Sequence, residues 1–482
     1  MKSYESIVID KASSEPMYMQ LYYGIKELVD EGVLLPEEKL PPIRSISEKY
    51  KVNNVTVVNA YKMLEKKGYV YSKIGSGTYI KGTRNNIANV DSSDAETIEQ
   101  GYVKMNQNEI NFSTSTPNSG MFPVEDFKLL LNEVLDRDGG FAFGYQEAQG
   151  YYPLRESIKE YLMENGLDVS VNNVHIISGA QQGIDVVAKA LIGFNDTIIV
   201  ESPTYTGATA VFKSRGAKII EISMEEDGIN IQELEVVLKT ERPKLIYVMT
   251  SFQNPTGISY SKEKKLRLLQ LAEKYGFYIL EDDYLSELSF YGEPNAHTPI
   301  KAIDKANKVI YLKSFSKIFM PGIRLAFLIP PDTILTKIVS AKHITDISTA
   351  GLMQRALDLY LRKRIWEKHI DMMWDIYKTR YDHMVELLKK ETPFIKFNEP
   401  MGGLHIWAET DVDANTLCNV AKQKGTSMAP GSVFYLDSRN SRCFRMSFAG
   451  VDEKEISKGI EILKAAYMNI KNTSYDNIFP FV

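Results

Sequence analysis

Apolar residues recur at helical spacing through PMYMQLYYGIKELVDEGV (16–33), where Met17, Leu21, Ile25, Leu28 and Val29 share one face. Pro16 suits a first turn and Gly32 an exit. LLPEEKLPP then reads as a proline-punctuated turn, Ile43 to Tyr50 as a short helix, and Lys51-Val-Asn-Asn54 as a tight turn with Asn as N-cap. VTVVNAYKMLEKK (55–67) predicts a further helix closed by Gly68, and YVYSKIGSGTYIKG alternates around Gly-Ser-Gly as a two-stranded hairpin. Residues 83–109, rich in Asn, Ser, Asp and Glu and without periodicity, have linker composition. From Ile110 onward short apolar runs (VHIISG, DTIIVESP, KLIYVMTSF, FYILEDD, KVIYLKSFSK, AFLIPP) alternate with helical stretches. That alternation predicts a large α/β domain with a mostly parallel sheet covered by helices. GGLHIWAE and CFRMSFA read as strands of a small α+β subdomain over about 345–482, leaving about 145–340 to the large one.

The N-terminal order of helix, helix, turn, helix, hairpin is a winged helix-turn-helix, mainly α with a small β wing. Charge strengthens that reading. The 482-residue chain carries a net −5, yet residues 39–82 hold nine Lys/Arg against two acids, a local +7. The domains expected are therefore 1–82, a linker at 83–109, and 110–482. Composition, at 44% apolar and 25% charged, is that of a globular protein, and no apolar window is long enough to cross a membrane. Two cysteines and six scattered histidines offer neither a disulfide framework nor metal-ligand spacing, so no metal is expected. With no apolar leader at the N-terminus, the expectation is a cytoplasmic protein, nucleoid-associated when bound to DNA.

Candidate chemistry collects at the C-terminal ends of the apolar runs, where open α/β sheets bind ligands. Ser178-Gly179-Ala180 leads from a strand into a helix whose first N–H groups can hold a phosphate, although such junctions are most often structural. FYILEDDY ends in acids; such an acid serves as an ion-pair partner, a metal ligand or the partner of a protonated heterocyclic nitrogen. In SFSKIFMPGIR (314–324) a lysine sits among hydroxyls, and Arg324 follows a Pro-Gly turn. A lysine amine bonds to carbonyl carbons, and Ser314, Ser316 and Arg324 suit a phosphate.

SGAQQG (178–183), ESPTYTG (201–207), FQNPTG (252–257), EDDY (281–284), SFSKIFMPGIR and CFRMSF (443–448) resemble, in order, the motif series of fold-type I, class I aminotransferases. YQEAQGYYPLRESI (145–158) resembles the segment preceding their cofactor domain. The resemblance implies a pyridoxal 5′-phosphate site with Lys317 forming the internal aldimine and Asp282 pairing with the pyridine nitrogen. It gives Asn254 and Tyr284 the phenolic oxygen and Tyr205 the ring face. The phosphate falls to Gly179, Ala180 and Gln181 together with Ser314, Ser316 and Arg324, and Tyr145 reaches the neighbouring subunit's phosphate in a homodimer. Arg445 takes a substrate or effector α-carboxylate. Tyr284 lies two residues after Asp282, whereas many of these enzymes have the tyrosine three after; strand alternation and motif position favour Asp282 over Asp283.

LPPIRSISEKYKVNNVTVVNAYKMLEKKGYVYSKIGSGTYIKG (40–82) resembles the GntR-type winged helix. That resemblance implies contacts to double-stranded operator DNA from Arg44, Asn53, Asn54, Thr56, Val57 and Asn59, phosphate contacts from Lys62, Lys66 and Lys73, and a wing tip at Ser76, Gly77 and Thr78. The two modules in one chain resemble the MocR/GabR-type transcription regulators, which implies a sensor of an amino acid or related amine. The alternative is an active aminotransferase, converting amino acid to 2-oxo acid, with an accessory DNA-binding module.

Overall fold

The computed structural model describes residues 16–30, 33–34, 38–66, 69–73, 77–80, 109–291, 298–437 and 441–476, with a few positions before residue 16. The chain divides into two compact units, Met1–Ile87 and Ala88–Val482. The expected linker lies outside the described residues apart from Glu109.

In the first unit, helices Met17–Asp30 (α1), Ile43–Tyr50 (α2) and Asn54–Lys66 (α3) precede strands Val70–Lys73 (β1) and Gly77–Ile80 (β2). The two strands pair antiparallel, Val70 opposite Ile80 and Lys73 opposite Gly77. The predicted stripe of α1 delivers Leu21, Ile25 and Leu28 to a core completed by Leu40, Ile46, Val57, Ala60, Leu64, Val70 and Ile80. Asn53 caps α3 through its side-chain oxygen, which accepts from the Val55 N–H at 3.1 Å.

The second unit begins with Ile110–Asn111 (β3). Its central sheet comprises His175–Ile177 (β4), Thr197–Ser202 (β5), Lys218–Glu225 (β6), Gly228–Ile229 (β7), Leu245–Val248 (β8), Tyr278–Asp283 (β9), Val309–Ser314 (β10) and Ala326–Ile329 (β11). Their order is β4-β11-β10-β9-β8-β5-β6-β7. The stretch from β10 through β9, β8 and β5 to β6 is parallel, while β11 and β7 run antiparallel to their neighbours. Every residue of β8 and β10 is buried, as expected of strands covered on both faces. A smaller sheet holds Ile395–Phe397 (β12), His405–Thr410 (β13), Ala429–Pro430 (β15) and Cys443–Ser447 (β16), all antiparallel, in the order β12-β13-β16-β15. Thr426–Ser427 (β14) pairs in parallel with β3. The small subdomain therefore draws on residues near 110 as well as on the expected C-terminal stretch, because Phe112 is fully buried in the same core as Phe444 and Met446.

Candidate functional site

The C-terminal ends of β4, β5, β8, β9 and β10 bring the predicted motifs together. After β4 the chain passes through Gly179, at φ +96°, into the helix Ala180–Leu191. A side chain there would be strained, and its Cβ would lie 2.3 Å from Nη2 of Arg324. Arg324 itself closes a short turn in the left-handed region, at φ +51°. Its Nη2 donates to the Ser178 carbonyl at 3.0 Å, holding the guanidinium beside the free N–H groups of that helix start. The Ser314 hydroxyl accepts from the Ser316 N–H at 3.2 Å and keeps its own proton to donate. This cluster is built for an anion.

Alternation along β9 separates its two aspartates. Leu280 packs with Ile184 and Val187 of the helix Ala180–Leu191, so Asp282, two residues on, faces that same side. Its Oδ2 accepts from the Tyr247 hydroxyl at 2.7 Å, while its buried Oδ1 has no partner among the described residues. Burial pushes its carboxyl up to about 7, against the pull of that hydrogen bond. Asp283 is engaged elsewhere, with Lys313 at 3.1 Å, Tyr311 at 2.6 Å and Ser286 at 2.8 Å.

Lys317 follows β10 in a turn, half-buried. Burial, with the nearby Arg445 and Arg324 cations, lowers its amine to about 8. Arg445, on β16, is buried and donates to Asn254 Oδ1 at 2.6 Å and to the Ser113 carbonyl at 2.5 Å, and its guanidinium lies 5.0 Å from the Phe434 ring. Burial lowers its guanidinium to about 10. Among the described residues none of these three cations forms an ion pair, so the site presents positive charge without an internal counter-ion. Asn254 accepts from Arg445 through its carbonyl, which leaves the amide N–H₂ to donate. The Tyr284 hydroxyl donates to the Phe252 carbonyl at 2.7 Å, so it meets a ligand only as an acceptor. Tyr205, at the start of the helix Thr206–Ser214, is half-buried with its hydroxyl 3.3 Å from Gln181 Oε1.

Sequence reasoning missed His405. It is fully buried on β13 with its ring 6.5 Å from that of Tyr284, and burial next to Arg445 and Lys317 keeps it neutral, well below its ordinary value. It also missed Tyr247, Glu201 and Gln253. Alternation in KLIYVM signalled that Tyr247 shares a face with the strand's apolar residues, but not the bond to Asp282. Tyr145 stands apart from the cluster at 86% exposure.

Pyridoxal 5′-phosphate, the group implied by the sequence resemblance, fits these residues. The unpartnered Asp282 Oδ1 suits a protonated ring nitrogen. The cradle at Gly179 and Arg324 suits a phosphate, and the lowered Lys317 amine suits a carbonyl carbon.

In the N-terminal unit Arg44, Asn53, Asn54, Asn59, Lys62, Lys73 and Gly77 are exposed, and Thr56 and Thr78 are half-buried. Val57 is corrected: it is fully buried, because it shares the spacing of Ala60, Tyr61 and Leu64 on the core face of α3, and it cannot reach a base edge. The exposed apolar residue at the start of that helix is Val55. Ser76 and the side chain of Lys66 lie outside the described residues.

With the geometry in place, comparison with known proteins is direct. Residues 100–463 match the family model described as aminotransferase class I and II. The chain belongs to the class I and II aminotransferase family. Residues 17–80 match a second model, bacterial regulatory proteins of the gntR family. Among relatives, aromatic-amino-acid aminotransferase 1 of Thermococcus litoralis is 32% identical over 364 residues, covering 73% of this chain and 87% of that protein. The probable rhizopine catabolism regulatory protein MocR of Rhizobium meliloti is 27% identical over 483 residues, 97% of each chain. The family fold is also seen in LysN, the α-aminoadipate aminotransferase of Thermus thermophilus, solved with N-(5′-phosphopyridoxyl)-L-leucine. It matches with TM-score 0.73 and 28% identity over 79% of this chain and 98% of that one.

Proposed function

We propose that the protein is a DNA-binding transcription regulator of the MocR/GabR type. Its aminotransferase-like unit holds pyridoxal 5′-phosphate on Lys317 and senses an amino acid or related amine. The observation that carries this reading is the pairing of the two family models in one chain, together with a regulator relative that aligns over both units. Bound there, the cofactor offers an aldehyde carbon to amines and a ring that withdraws electrons. Around it, Asp282 holds a proton at the ring nitrogen, the Asn254 amide donates to the phenolic oxygen, and Tyr205 covers the ring face. The N–H groups of Gly179, Ala180 and Gln181, with Ser314, Ser316 and Arg324, take the phosphate. Arg445 takes the ligand carboxylate with a planar two-pronged donor. Tyr145, exposed in one chain, reaches the phosphate of a second copy in a homodimer.

The second reading, an active aminotransferase, is supported by relatives named as transaminases that align with the second unit at up to 32% identity. Purified protein is incubated with a panel of amino acids and a 2-oxo acid acceptor. A single absorbance change without sustained keto-acid production is expected of the regulator; turnover at enzyme-like rates supports the catalyst. Retardation of promoter DNA is expected to depend on Arg44 and Lys62. Replacing Lys62 by alanine weakens binding uniformly across sequences and reduces the salt slope by about one, and replacing Arg44 weakens it too; unchanged retardation counts against the first unit as the reader.

The Lys317 amine attacks only when neutral, and its value of about 8 lies below that of an ordinary lysine. Cofactor uptake by vitamer-free protein is therefore expected to quicken as pH rises from 6 and to level off above about 8. Stopped-flow absorbance measures this, and a rate still climbing towards pH 10 would show that the amine is not lowered.

A further inference from the structure

Glu201 ends in a carboxylate that the proposed chemistry does not use. It lies on β5, fully buried, four residues before Tyr205. Three donors converge on it. Oε1 accepts from the Met249 N–H at 3.1 Å and from the Tyr260 hydroxyl at 2.8 Å, and Oε2 accepts from Gln253 Nε2 at 3.1 Å. Burial pushes the carboxyl up to about 8, and these hydrogen bonds pull it back. Gln253, also fully buried, uses both ends of its amide. Nε2 donates in addition to the Pro203 carbonyl at 2.7 Å, and Oε1 accepts from the Thr256 N–H at 3.0 Å and from its hydroxyl at 2.6 Å. Pro203 belongs to the loop that carries Tyr205, and Thr256 to the loop that carries Asn254, which in turn holds Arg445.

We propose that Glu201 is a positioning residue that, through Gln253, clamps the Tyr205 loop to the Asn254 loop and so fixes both the ring cover and the donor to the cofactor's phenolic oxygen. The polarity of the chain is the argument. With the carboxyl Oε2 accepting at 201, in the acid as in the carboxylate, every hydrogen of the Gln253 amide meets an acceptor, and every lone pair it uses meets a donor. An amide at 201 would set N–H₂ against the Gln253 N–H₂ or, turned over, against the Met249 N–H. Rotating Gln253 to relieve that clash would turn its N–H₂ onto the Thr256 N–H. A change of one atom at 201 thus propagates to the loop 252–257 without changing side-chain volume. The role in cofactor binding rests on the functional reading above; the clamp itself does not.

The test compares wild type, Glu201→Gln, Gln253→Glu and the double swap Glu201→Gln/Gln253→Glu. In vitamer-free protein, amide hydrogen exchange of the loop 252–257 is expected to speed up in each single variant. The double swap restores complementary donors and acceptors at the 201–253 contact and keeps the acceptor for Thr256. It also sets a carboxylate oxygen against the Pro203 carbonyl, so it should return protection to the loop 252–257 only in part. With pyridoxal 5′-phosphate added, affinity is expected to fall roughly tenfold in each single variant and to stay reduced in the swap, which lacks the donor to the Pro203 carbonyl. Exchange in Glu201→Gln indistinguishable from wild type overturns the clamp. Faster exchange with undiminished cofactor affinity overturns the positioning role, and exchange in the swap no slower than in both single variants overturns the assigned polarity of the 201–253 contact. Wild-type protein that takes up no cofactor overturns the functional reading alone, and the exchange data still decide the clamp.

Discussion

Lys317→Ala is expected to abolish covalent retention of the cofactor. Wild-type protein loaded with pyridoxal 5′-phosphate and treated with borohydride should gain the mass of the reduced adduct at Lys317, while the variant should gain none and emerge colourless from gel filtration. The effect is near total because no other amine occupies this place: Lys313, four residues earlier, is buried in a bond to Asp283 and an ion pair with Glu287 on the other face of the sheet. Fold should survive, since among the described residues no hydrogen bond to the Lys317 amine contributes to packing, and burial of its charge opposes folding. Response of DNA binding to amines should vanish with the adduct. An alanine variant that still yields a trapped adduct would place the attachment elsewhere and remove the basis of the proposed function.

Arg445→Gln is expected to leave cofactor uptake intact at high pH, where Lys317 is neutral, and to weaken an amino-acid ligand by two to three orders of magnitude. Truncating one partner of a buried, hydrogen-bonded charge pair costs about 2–5 kcal/mol, at about 1.4 kcal/mol per tenfold. Titration of the cofactor's absorbance with ligand reads the affinity. Arg445→Lys should fall between, since an ammonium keeps the charge but loses the planar fork. The same substitution carries a signed control. Arg445 is the larger of the two cationic influences lowering Lys317, so its removal should move the pH midpoint of cofactor uptake above about 8. Amines without a carboxylate should be indifferent to the change. Equal losses for amines and amino acids would mean that Arg445 shapes the pocket without gripping a carboxylate.

Much of this architecture was legible because burial writes β8 and the leading halves of β9 and β10 as apolar runs, and because the site lies where those runs stop. Alternation also separated Asp282 from Asp283, since neighbours on a strand face opposite sides. What escaped was set by contacts between distant segments. Glu201 and Gln253 are 52 residues apart, Asn254 and Arg445 are 191 apart, and no local pattern announces either pair. The β3–β14 pairing was hidden for a further reason: strands of two residues carry no period to detect. Val57 is different, because its signal was present. Val57, Ala60, Tyr61 and Leu64 repeat at the spacing of a buried helical face, and proximity to the helix start is a weaker guide than that phase.

The short strand at Ile110–Asn111 has one more implication. Just beyond it, Asn111 Oδ1 accepts from the Ser113 and Thr114 N–H groups, and the carbonyl of the Ser113 so held is the one that Arg445 grips. The turn that opens the described part of the second unit is thus fastened to Arg445. On the proposed reading, a carboxylate taken by Arg445 would compete with the Ser113 carbonyl for the same guanidinium and so loosen that turn.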